Sequence, residues 1–147
     1  MIRSILAILA GIVTLTITSF AIEAVADPLM MRLFPHALPN RAAVSQSLPA
    51  TVFLLAYTGL CVAAGGYVTA WLARRSPIFH SLLMGAVQFA LTVWAMMSLS
   101  LRSEAPLRNW IGALVFTFPA AWCGGLLRAK QVAKKVLPQE PAGKVVA

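Results

Sequence analysis

Charge is what this sequence has least of. Of its 147 residues only 11% are Asp, Glu, Lys or Arg, and just four of those are acids, where an ordinary soluble domain carries about 25% charge. Two cysteines are too few for a disulfide-stapled scaffold, and composition also excludes a collagen, a coiled coil or a disordered chain. Catalytic signatures are missing as well: there is no Gly-x-Ser-x-Gly, no His-Glu-x-x-His and no pair of carboxylates placed for acid–base work. Gly65-Gly66 and Gly124-Gly125 lie inside apolar runs with no Gly-Lys-Ser/Thr after them, so they are not phosphate loops. Neither an enzyme nor a bound cofactor is expected.

What is present is apolar length. Hydrophobic residues make up 60% of the chain, and they fall into four runs, each near the length of about 20 residues that a helix needs to cross hydrocarbon. The runs cover residues 4–26, 50–73, 78–101 and 110–127. This predicts an all-α, polytopic membrane protein: a bundle of four transmembrane helices over residues 1–128, followed by a basic tail, 129–147. Pro138 and Pro141 should stop any helical extension near Leu137 and leave the tail's end disordered. Pro28, Pro35 and Pro39 exclude one continuous helix through the connection from Asp27 to Leu48. Its apolar piece, 29–34, is expected to lie in the interface or to cap the bundle.

Basic residues in short flanking loops set orientation. Arg3, Arg74, Arg75, Arg128, Lys130, Lys134, Lys135 and Lys144 fall on one side, against Arg32, Arg41, Arg102 and Arg108 on the other. Both termini are therefore expected in the cytoplasm, and the net charge of +8 reads as a topology signal with no nucleic acid implied. A competing reading of the first run is a signal peptide cut after Ala26, since Ala24-Val25-Ala26 has the small-x-small form. Its apolar stretch from Ile5 to Ile22 favours a retained anchor, because secretory cores run to about 7 to 15 residues.

Aromatic residues should mark the two interfaces, Tyr67, Trp71 and Trp122 on the cytoplasmic side and Phe53, Tyr57 and Trp110 on the outer one, with Trp94 packed between helices. Helices in lipid associate through small residues and interhelical hydrogen bonds. Steps of four and three place Gly59, Ala63, Gly66, Ala70 and Ala73 on one stripe of the second run, and Ser81, Gly85, Gln88, Thr92 and Ala95 on one stripe of the third. Ala7, Gly11, Thr14, Thr18 and Ala21 form the equivalent row in the first, and Ala113, Thr117, Ala120 and Gly124 in the fourth. The expected packing residues are Gly59, Ala63, Gly66, Ala70, Gly85 and Gln88, whose amide needs an interior partner. Pro119 should kink the fourth helix.

Few residues invite chemistry. Glu23 is the one acid inside a span; with Asp27 four residues on it forms a candidate cation site, or pairs with Arg32 or Arg41 from the loop. His36 sits in the same loop but completes no regular metal-ligand spacing. Arg74, Arg75, His80, Lys130, Lys134 and Lys135 are candidate contacts for anionic lipid headgroups. Cys61 and Cys123 read as small apolar packers, bridgeable only if their helices touch.

The hairpin GGYVTAWLARRSPIFHSLLMG, Gly65 to Gly85, is a glycine-rich helix, a double-basic turn and a histidine opening the next helix. It resembles small uncharacterised bacterial four-span inner-membrane proteins. The resemblance covers about a seventh of the chain and implies a bacterial inner-membrane location without an activity. The leading expectation is a non-enzymatic packing, accessory or structural component that partners the bilayer, a second copy or another membrane protein. The alternative is a small transporter or channel working as an oligomer, with Glu23 as its cation or proton site.

Overall fold

A computed structural model describes residues 2–36, 40–73, 76–98 and 106–136, apart from the side chains of residues 41, 42, 45, 135 and 136. Five helices make up the described chain: α1 (Ile2–Leu33), α2 (Arg41–Gln46), α3 (Leu48–Ala73), α4 (Pro77–Met97) and α5 (Leu107–Val136). All but α2 are long and apolar enough to cross a membrane. The shortest of the four, α4, has 21 residues, or about 31 Å at 1.5 Å per residue, close to the hydrocarbon thickness of about 30 Å.

Local chemistry explains why threonine-rich apolar segments hold as helices. Thr14, Thr16 and Thr18 donate to the carbonyls four residues back at 2.8, 2.9 and 2.8 Å, as do Thr69, Thr92 and Thr117 in α3, α4 and α5. Each hydroxyl is thereby satisfied within its own helix, which matters where no water is at hand. α1 outruns its expected end near Ala26 and continues through Pro28 to Leu33. One proline removes a single amide donor without ending a helix whose flanking residues remain helical. In the last turns Met30 and Met31 pack against Val44 and Ala50, so this apolar piece covers the bundle end. The other bounds differ from expectation by a few residues, and α5 runs through Pro119 to Val136. Ser76, at φ 46°, is the left-handed residue at the tight turn into Pro77.

α3 is the hub, packing against α1, α4 and α5; α4 also packs on α5 and on α1, while α1 and α5 make no extensive contact. Going round, the order is α1, α3, α5, α4. At the end bearing Arg3, backbones meet directly. A Cβ on Gly65 would lie 2.6 Å from the Gly11 carbonyl oxygen, and one on Gly11 would lie 2.7 Å from the Gly65 carbonyl oxygen. Gly124 approaches the Ala63 carbonyl and the Tyr67 amide in the same way. Ser81, fully buried, donates to the Ala121 carbonyl at 2.5 Å and closes the α4–α5 contact beside Gly66 and Gly85. In lipid such contacts carry the association, each interhelical hydrogen bond contributing about 0.6 to 2 kcal/mol.

The packing stripes are partly displaced from their expected registers. Gly66, Ala70 and Gly85 are buried, and the Ala63 carbonyl receives Gly124. Gly59, however, is not a close-approach point: a Cβ there meets nothing within 4 Å, and Gly65 takes that place against α1. In α1 the buried row is Ala7, Gly11 and Leu15, a step of four throughout, instead of a row that turns to Thr14 and Thr18. Trp94 is 68% exposed and faces away from the other helices instead of packing between them. Cys61 is buried beside Leu15 and Tyr57, Cys123 is exposed, and both thiols are free.

Candidate functional site

At the opposite end, where α1 carries Glu23, polar side chains take over from glycine. α1 and α3 run antiparallel, so the last turns of α1 lie beside the first turns of α3, and there Tyr57 Oη donates to Glu23 Oε1 at 2.9 Å. Tyr57 is only 6% exposed. It was expected to mark the outer interface; it is turned inward, where its hydroxyl meets this carboxylate. Continuation of α1 past Pro28 keeps Asp27 one turn beyond Glu23, and both line a cavity of about 140 Å³ with Thr51, Tyr57 and Asn109.

Thr51 joins three elements. Its Oγ1 lies 3.0 Å from the Ser47 carbonyl oxygen and 3.0 Å from Asn109 Oδ1, and it accepts from Arg108 Nε at 3.3 Å. Arg108 also donates to the Gln46 carbonyl, at the C-terminal end of α2. α2 starts on Asn40, whose side chain accepts from the Ala43 amide at 2.8 Å, and Ser47 Oγ then accepts from the Ala50 amide at 3.2 Å. These short caps set α2 against α1 and α3, with Arg108 of α5 bonded to its end, and Val44 of α2 lines the cavity.

Below this cavity the helices separate. α1 and α5 leave between them a cleft of about 430 Å³, and Glu23 lines it too. Thr16 and Ser19 contribute from α1, Gln88 and Thr92 from α4, and Trp110 and Thr117 from α5. Gln88 thus serves this polar wall, not a helix seam; its amide donates to Thr92 Oγ1 of its own helix at 3.4 Å. The Trp110 indole N–H is buried and has no hydrogen-bond partner among the described residues. The arrangement offers a carboxylate, an amide and several hydroxyls along one wall of an otherwise apolar bundle, a surface suited to a cation or a hydrogen-bonding group.

The remaining candidates are dispersed. His36 joins no cluster: among the described residues no three His, Cys, Asp or Glu side chains come together. Arg32 is exposed in the last turn of α1, and the side chain of Arg41 lies outside the described residues. His80 Nδ1 lies 3.2 Å from the Ser76 carbonyl oxygen, and Nε2 lies 3.2 Å from Ser4 Oγ. The ring therefore ties the start of α4 to α1. Lys130 and Lys134 are exposed on α5, while Arg74, Arg75 and the Lys135 side chain lie outside the described residues.

Tyr57, Thr51, Asn109 and Trp110 were not foreseen as parts of one site. The one signal for them was depth: an antiparallel hairpin brings the end of the first run level with the start of the second. The chain matches no protein-family model, no curated protein and no solved structure.

Proposed function

We propose that this chain is a non-enzymatic, multi-pass accessory component of a bacterial inner membrane, both ends facing the cytoplasm, and that it works through the Glu23 cleft. The positive-inside distribution of arginine and lysine supports the orientation. The resemblance of Gly65 to Gly85 to small uncharacterised bacterial four-span inner-membrane proteins supports the compartment. One observation carries the functional reading: Glu23, bonded to Tyr57, lies on the wall of two cavities at one end, while glycine contacts pack the α1–α3 and α3–α5 seams toward the other. A rigid seam holding a polar cleft open suits the reception of a cationic group, an ammonium or guanidinium, presented by a second copy or another membrane protein.

A photo-crosslinking residue at Thr58, on the cleft wall, tests this in intact membranes. A discrete protein adduct that weakens at least about tenfold in Glu23→Gln is expected, that factor being about 1.4 kcal/mol of coupling. Adducts to lipid alone contradict the reading.

A second reading, a small transporter or channel working as an oligomer, is favoured by the position of Glu23 between two cavities at different depths. Cation or proton flux in vesicles that falls in Glu23→Gln, with insertion unchanged, supports it. Flux equal to that of the unaltered protein sinks it.

A further inference from the structure

A third cavity lies at the Arg3 end. It is a groove of about 510 Å³ lined by Arg3, Leu6 and Ala10 of α1, Trp71 and Leu72 of α3, and Arg128 of α5. We infer that this groove binds one anionic phospholipid, its phosphate held by Arg3 and Arg128 and the first part of an acyl chain laid against Leu6, Ala10 and Leu72.

Four features lead to that occupant. α3 packs against both α1 and α5, which make no extensive contact with each other, so the groove has two walls and a floor, and each wall ends in a guanidinium. Planar guanidinium forks match phosphate oxygens in bidentate fashion. No described carboxylate competes: the described acids, Glu23 and Asp27, lie toward the other end of α1. Arg3 stands twenty residues before Glu23 on one helix, or about 30 Å. That distance matches the hydrocarbon thickness of about 30 Å and sets the two arginines at headgroup depth when Glu23 is at the far interface. Trp71, 53% exposed beside them, is an aromatic of the kind that settles at that level.

The site is also steadied in advance. Tyr67 Oη donates to Gln131 Oε1 at 2.8 Å, and the same oxygen accepts from Arg128 Nη1 at 3.4 Å. Side chains of α3 and α5 therefore limit where the Arg128 head can go. A volume of 510 Å³ lies within the range of about 300 to 1,000 Å³ typical of small-molecule sites. The apolar wall below the arginines is what a free anion would not need and a lipid would use.

This inference rests on the helices spanning a membrane, so the insertion of every variant is first checked by recovery in the membrane fraction. Native mass spectrometry of the full-length protein in detergent then follows the retention of added phosphatidylglycerol against phosphatidylcholine. Phosphatidylglycerol is expected to be retained preferentially, and Arg3→Gln/Arg128→Gln to weaken its binding by about thirtyfold for the two charges removed. Lys130→Gln/Lys134→Gln removes the same charge from exposed positions outside the groove, where the lysines can attract headgroups only loosely from the open surface, and should leave binding within about threefold. Ala10→Phe, which keeps both arginines and fills the apolar wall, should abolish retention. Equal losses in the arginine and lysine variants, full retention in the arginine variant, or displacement of the lipid by millimolar inorganic phosphate would each overturn the proposal.

Discussion

A Cβ on Gly124 would run into the Ala63 carbonyl and lie 2.8 Å from the Tyr67 amide nitrogen, whereas one on Gly59 would meet nothing within 4 Å. Backbone atoms cannot swing aside as a side-chain tip can. Gly124→Ala should therefore force α3 and α5 apart, at about 1 to 3 kcal/mol. Gly59→Ala should be neutral or stabilising, because alanine is favoured over glycine inside a helix by about 1 kcal/mol. Thermal unfolding in detergent checks the pair, with a lower midpoint expected for the first variant and an equal or higher one for the second. The same residues show how far the sequence could be read. A glycine-rich helix was evident, but which glycine meets a neighbour depends on where helices cross, and no single helix encodes that. Glu23 was likewise legible by its residue type, while Tyr57 was not, because a tyrosine near a span's end reads as an interface anchor until a carboxylate at the same depth turns it inward.

Among the elements, the long helices were legible because apolar length is a local property, and their ends moved by only a few residues except at the C-terminal ends of α1 and of α5, which runs on into the basic tail to Val136. The three prolines were read as excluding one continuous helix across the connection, and α1 does end at Leu33, but packing of Met30 and Met31 on Val44 and Ala50 carries it past the first of them. α2 could not be foreseen. Six residues without an apolar stripe form a helix with Asn40 capping one end, Arg108 bonded at the other and Val44 packed on Met30 and Met31. Arg108→Ala should release that clamp while sparing the glycine seam at the far end. Amide hydrogen exchange across residues 41–46 is expected to speed by about fivefold for a loss near 1 kcal/mol, with the midpoint of global unfolding little changed. Unaltered exchange in this segment would contradict the clamp.

On the scale of the whole molecule, small residues fasten the helix seams toward one end of the bundle, beside the Arg3–Arg128 groove, and polar side chains line the space at the other. The four-helix, all-α architecture followed from composition and run length; the splaying of α1 from α5 did not, since it arises from which helix becomes the hub. Function follows from this asymmetry only if the two ends lie on opposite sides of a bilayer. In a background with Cys61 and Cys123 replaced by alanine, single cysteines placed at Ser4, Phe34, Ser76 and Leu107 can be probed with a membrane-impermeant thiol reagent on spheroplasts and on inverted vesicles. The account predicts labelling of positions 34 and 107 from the outside alone and of positions 4 and 76 from the inside alone. Labelling of all four from one side, or of position 4 from the outside, would contradict it.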